Sequence, residues 1–143
     1  MTMTRAVVDP LILSRVGVFL AKVGKDGTTA NGTNADLAQI LSWCVRRMGG
    51  STASLALCTD LELSTINSDD ALLDLAEVRA LELVQSNYIG ADVKVGPIWE
   101  AGAAFSEQLA NMLAAKRKAF DARYGSLVFP PLLEWEVAVL VNI

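Results

Sequence analysis

Acidic side chains at helical spacing come nearest to a chemical motif in this sequence. Asp69 and Asp70 are adjacent, and Asp74 follows Asp70 by one helical turn. Two carboxylates on one face can bind Mg²⁺ or share the acid and base roles of a glycosidase. At the start of a helix, acidic residues more often cap backbone N–H groups and favour the positive end of the helix dipole. We therefore interpret these aspartates as helix-start residues.

Other catalytic residue types are missing or poorly spaced. The sequence has no histidine, which removes the usual general base, the Ser–His and Cys–His pairs and the commonest metal ligand. Cys44 and Cys58 are widely spaced and do not form a zinc motif. Residues 24–33 lack the GxxxxGK[ST] order of a phosphate loop, and no Gly-rich nucleotide fingerprint follows a strand. The sequence predicts a protein that is not an enzyme and needs no cofactor or metal.

The two cysteines and the N-terminal residues indicate a cytoplasmic protein. We expect Cys44 and Cys58 to be buried free thiols, and a disulfide requires that their geometry permit it. The apolar stretch 7–23 is interrupted by charged residues and a proline. It therefore predicts neither a membrane span nor a signal peptide.

Length and composition predict one folded domain with a core of its own. The chain has 143 residues, of which 52% are hydrophobic and 20% are charged, so disorder is a poor description of the whole. Sixteen acidic and twelve basic residues give a net charge of -4. This balance argues against a broad nucleic-acid surface, which needs clustered Lys and Arg, but not against a channel through which DNA passes.

Apolar residues at helical spacing predict a fold that is mainly α, a small helical bundle of about four helices. The predicted helices cover residues 9–23, with Asp9 as N-cap before Pro10, and then 34–48, 69–87 and 97–124. Residues 51–66 are left undecided. The helix 69–87 is apolar on more than one face and should be packed on two sides. In the helix 97–124, eight alanines suit close helix contact, and the basic C-terminal end is interpreted as a solvated surface.

The C-terminal residues alternate as a β-strand does. They follow Phe129-Pro130-Pro131 and give a division into a bundle, residues 1–126, and an extended β-type docking tail, residues 127–143. One face carries the apolar residues Leu133, Trp135, Val137, Val139, Val141 and Ile143. A lone strand leaves its backbone groups unpaired. It can add to a sheet in another subunit, the favoured interpretation, or pack on its own domain, for example against a weak strand at Val93–Val95.

The segment Asp69–Glu82, followed by the long helix 97–124 with its basic end and an extended tail, resembles the small head–tail connector proteins of tailed bacteriophages, also called adaptor or head-completion proteins. The order of elements is similar over roughly residues 34–143, and the wording is similar only in the helix 69–87. The loop 24–33 has no counterpart in this resemblance.

The resemblance implies a structural virion protein at the head–tail junction, made in the host cytoplasm. Such a protein forms a ring of its own copies, usually a dodecamer, under the portal protein and extends the DNA channel. Its C-terminal extension contacts the portal, its other side receives the next neck or tail component, DNA only passes through, and no membrane is involved. The alternative is a small cytoplasmic helical binding or regulatory module whose C-terminal strand completes a partner's sheet.

Overall fold

The computed structural model describes residues 3–30, 32–50, 58–91 and 97–128, and these residues are mainly helical. The helices are α1 (Arg5–Lys22), α2 (Ala35–Arg47), α3 (Asp60–Leu63), α4 (Asp69–Ala91) and α5 (Pro97–Tyr124), followed by a 3-10 turn at Gly125–Leu127. The predicted helical class is confirmed, and the short α3 lies in the stretch left undecided. The weak strand at Val93–Val95 and the tail from residue 129 onward lie outside the described residues.

Helix α4 is the centre of the bundle, because α1, α2 and α5 all pack against it. Its buried residues lie on several faces and are Ala71, Leu72, Leu73, Leu75, Ala76, Val78, Ala80, Leu81 and Val84. Fully burying each large aliphatic side chain contributes about 1.5–3 kcal/mol. The prediction that this helix is packed on more than one side is confirmed.

Helix α1 begins four residues before the predicted N-cap, so the assignment of Asp9 as a cap is wrong. Pro10 lies inside the helix, where it cannot donate the hydrogen bond of a regular turn. The backbone N–H of Arg5 instead donates to the carboxylate of Asp60, 2.7 Å away. The side chain of Asp9 is fully buried and accepts hydrogen bonds from the Arg5 guanidinium. Distant contacts, rather than the local Asp-Pro pair, fix where this helix begins.

The glycines at the ends of α1 and α2 act as the sequence predicts. Gly24 and Gly49 adopt φ values of +77° and +81°, a backbone region in which glycine avoids the strain of a Cβ atom. After α1, the N–H of Lys25 donates to the carbonyl of Leu20 at 3.0 Å. Both helices therefore end in a left-handed turn that satisfies carbonyls of the last helical turn.

The loop between α1 and α2 is held by its own polar residues. The carboxylate of Asp26 accepts the N–H groups of Thr28 and Thr29 at 3.0 and 2.9 Å. The side-chain amide of Asn34 donates to the carbonyls of Asp26 and Thr29, and its oxygen caps α2 by accepting the N–H of Leu37. The loop, for which the sequence indicated no role, fixes the start of α2.

Close backbone contact between Gly17 of α1 and Gly27 predicts a strong effect of Gly17→Ala. A Cβ atom at Gly17 would lie 2.5 Å from the carbonyl oxygen of Gly27, so the loop must move away. We expect a loss of about 1–3 kcal/mol in the free energy of unfolding, as for other overpacking substitutions. Urea denaturation measures it. Gly125→Ala is the matched control, because no atom lies within 4 Å of its Cβ position; equal losses in both variants would contradict the contact.

Candidate functional site

The residues predicted to dock on a partner lie outside the described residues. These are Leu133, Trp135, Val137, Val139, Val141 and Ile143, and their role stays a prediction. The described chain ends at Val128, which is 4% exposed and belongs to the hydrophobic core. The tail therefore leaves the bundle from an anchored residue directly after the turn that follows α5.

The acidic residues considered for chemistry are separated into different roles. The hydroxyl of Ser68 accepts the N–H of Ala71 at the start of α4, next to Asp69 and Asp70. Asp74 forms an ion pair with Arg15 of α1 at 2.9 Å. Within the described residues, no group of three or more His, Cys, Asp or Glu could hold a metal ion. The structure therefore brings Asp74 to a helix interface and not to a shared site with the other two aspartates.

Ion pairs connect α4 to both of its long neighbours. Glu77 lies 3.2 Å from Arg15 of α1 and 2.5 Å from Lys116 of α5. Glu82 lies 2.6 Å from Arg117 of α5. Each partly exposed pair contributes only about 0–1 kcal/mol, but together they align three helices. Two of the basic residues interpreted as a solvated surface are thus interhelical partners, which sequence spacing along one helix does not reveal.

A cavity of about 220 Å³ lies between α4 and α5. Its lining combines apolar and charged side chains: Asp74, Glu77, Val78, Lys116, Ala119, Phe120 and Arg123. The two carboxylates in this lining are already ion-paired with Arg15 and Lys116. An acid–base pair for hydrolysis must face a substrate from two sides, whereas these acids lie one turn apart on the same helix. The arrangement is that of a polar helix interface.

Trp43 and two arginines form a cluster that the sequence analysis missed. The guanidinium carbons of Arg47 and Arg79 lie 4.8 and 4.7 Å from the centroid of the Trp43 ring. Burial lowers the pKa of Arg47, the largest influence on it. Cation–π contacts of this kind contribute about 0.5–2 kcal/mol and here join α2 to α4. The i, i+4 spacing of Trp43 and Arg47 was the available signal, but Arg79 comes from a distant part of the sequence.

Both cysteines are buried and free, as predicted. Burial raises the pKa of the Cys58 thiol to about 11. It raises the pKa of the Cys44 thiol well above its usual range. A thiolate is the nucleophilic form of cysteine, so neither residue is suited to nucleophilic chemistry near neutral pH.

The raised thiol pKa values predict how the protein reacts with a thiol reagent. Because an increase of two pKa units lowers the thiolate fraction about a hundredfold, the native cysteines should react at least that much more slowly than unfolded ones. The neutral thiol is favoured in the folded state, so its stabilising effect is full below the ordinary value of 9.0 and is lost as pH rises through about 11. Absorbance of a released aromatic thiol, with and without urea, measures the rates. Fast native labelling at pH 8 would contradict the buried positions.

The outward face of α1 carries exposed apolar side chains. Val7, Leu11 and Val18 are 44%, 43% and 74% exposed, although α1 also buries Val8 and Ile12 on its inner face. Isolated exposed apolar residues are common on protein surfaces, but these three lie on one line along one helix. This alignment is the clearest surface in the described part of the chain for contact with another protein.

The described residues therefore form a helical bundle whose polar side chains join helices to one another. No known protein family, curated protein or solved structure matches the chain significantly. Among the described helices, none is long and apolar enough to cross a membrane.

Proposed function

We propose that this chain is a head–tail connector of a tailed bacteriophage. In this role it forms a ring of identical copies under the portal protein, extends the DNA channel and links the capsid to the next neck or tail component. It acts as a structural protein without a catalytic step. Its place is the head–tail junction of the virion.

The position of α4 and α5 is the observation that carries this proposal. The segment Asp69–Glu82, on which the resemblance rests, forms most of the central helix α4. The long helix α5 follows it with the predicted bounds Pro97–Tyr124 and packs against it. The segment that resembles connectors is thus the structural centre of the bundle, and this order of elements supports the proposal.

The charges of the chain are compatible with a DNA channel. The chain carries a net charge of -4, and several of its basic residues are ion-paired with acids of α4. A channel wall must let DNA slide, and clustered unpaired Lys and Arg would bind its phosphates instead. Neutralised cations suit passage better than retention.

The tail supplies the proposed contact with the portal. Its apolar face, from Leu133 to Ile143, alternates at the strand period, and addition of such a strand to an existing sheet pairs its backbone groups. Val128 anchors the preceding residues in the core. The bundle would then form the ring while the tail reaches the portal.

Electron microscopy of mixtures with a portal protein tests this proposal. The portal encoded in the same genome is the partner to use, and a portal from an unrelated phage is the control. The proposal predicts an added ring on one face of the cognate portal alone. A complex with a different protein at one-to-one stoichiometry, and no ring, would favour the small binding module instead.

A further inference from the structure

The exposed apolar residues of α1 follow the spacing of a coiled-coil seam. Residues 7, 11, 14, 18 and 21 are all exposed, and they alternate in steps of four and three. At 3.6 residues per turn they lie within an arc of about 80°. Ser14 completes the line without an unsatisfied group, because its hydroxyl donates to the carbonyl of Leu11 at 2.7 Å. The outer face of α1 is therefore a continuous stripe, the α1 seam, of residues 7, 11, 14, 18 and 21.

The seam matches a second copy of itself in the antiparallel direction. In antiparallel coiled coils the two alternating positions of one helix face the opposite positions of the other. Applied here, this places Val7 beside the partner copy's Val18, and Leu11 beside its Ser14. The large exposed residues then meet across a two-fold axis between Leu11 and Ser14, and every contact occurs twice.

Charges at the two ends of α1 favour this direction. Exposed Lys22 lies at the C-terminal end of the helix. Asp60, also exposed, lies at the N-terminal end, where it accepts the N–H of Arg5. An antiparallel pair brings each Lys22 towards the Asp60 end of the other copy, whereas a parallel pair brings the two lysines together. Opposite charges across an interface fix its orientation more than they raise its affinity.

From this spacing and charge distribution, we propose that the α1 seam is a self-association surface and joins two copies of the chain in an antiparallel pair. Exposed Leu61, at 77%, extends the apolar surface next to Asp60. One helix face offers less than the roughly 800 Å² per partner that stable complexes bury. The pair is accordingly weak, with a dissociation constant on the order of micromolar. This inference is independent of the connector function.

Sedimentation equilibrium of the full chain tests self-association. The proposal predicts a monomer–dimer equilibrium that Val18→Glu weakens at least tenfold, because the substitution places two unpaired carboxylates in the seam. Ala114→Glu, an exposed position on α5, adds the same charge elsewhere and should leave the equilibrium unchanged. A chain that stays monomeric at all concentrations, or equal effects of the two substitutions, would overturn the proposal.

Disulfide trapping tests the direction independently of the glutamate variants. Val7→Cys and Val18→Cys proteins, oxidised after mixing, should form a mixed dimer, because the two positions face each other. Either protein alone should cross-link poorly, since an antiparallel pair separates identical positions by about 16 Å along the axis. The native cysteines are buried and do not compete. Equally fast cross-linking of Val18→Cys alone would overturn the antiparallel arrangement.

Discussion

Removal of residues 130–143 is expected to abolish binding to the portal protein and to leave a folded helical domain. The described core includes Val128 and surrounds α4 with three helices, so the bundle contains a hydrophobic core without these residues. Strand addition, in contrast, needs the tail backbone itself. Circular dichroism and thermal unfolding measure the fold, and size-exclusion chromatography with portal measures binding. We expect no detectable complex and nearly unchanged helicity.

Two point variants separate loss of the tail surface from loss of the tail. Trp135→Glu places a charge on the predicted docking face, and Glu136→Gln removes one from the opposite face. The first should weaken portal binding by at least a hundredfold, because a large aromatic anchor contributes several kcal/mol at an interface. The second should change binding little. If the truncated chain unfolds, the strand belongs to its own core and the docking proposal is wrong.

Asp9→Ala is expected to cause the largest loss of stability among single substitutions in the described residues. Asp9 is fully buried, and its carboxylate accepts hydrogen bonds from Arg5 at 2.7 and 3.0 Å and from the N–H of Gly32 at 2.9 Å. Arg5, at 5% exposure, also donates to the carbonyl of Cys58. Without Asp9, a guanidinium is buried with no opposite charge, which costs about 3–5 kcal/mol.

Urea denaturation compares this variant with a surface control. Asp74→Ala removes an ion pair of similar length, 2.9 Å to Arg15, but both side chains are about one third exposed, so the expected loss is about 0–1 kcal/mol. The double variant Arg5→Met/Asp9→Leu should be less damaged than Asp9→Ala, because it leaves no unpaired charge. Equal losses for Asp9→Ala and Asp74→Ala would contradict the structural role of the buried pair.

Helix positions could be predicted where the signal is local. The caps at Asn34, Gly24 and Gly49 and the start of α5 at Pro97 depend on residues within one turn of the helix end. These side chains or glycine conformations satisfy backbone groups that the helix leaves unpaired. Such local patterns are readable without knowledge of the partner elements.

The start of α1 could not be predicted because its determinants are distant. Asp60, which binds the N–H of Arg5, is 55 residues away in sequence. The pattern Asp9-Pro10 has the composition of a helix start, but the buried ion pair with Arg5 places Asp9 inside the helix. Tertiary contacts therefore override a plausible cap.

The surfaces of the candidate site were only partly predictable. Helix α1 is apolar on two faces, and one sequence does not show which face meets its own core. The sequence analysis placed Leu13 and Val16 on the apolar face, whereas the structure buries Val16 together with Val8 and Ile12 and leaves Val7 and Leu11 exposed. Similarly, the partners of Lys116 and Arg117 lie on another helix. The tail residues remain a sequence-based prediction.

Native mass spectrometry of the full chain with the cognate portal tests the connector function most directly. The account predicts a complex whose added mass is a ring of copies of this chain, dodecameric or close to it, and whose formation requires the tail. The chain alone should show only small species, including the α1-seam dimer. A chain that ignores the portal, and instead forms a one-to-one complex with another protein, would contradict the connector function.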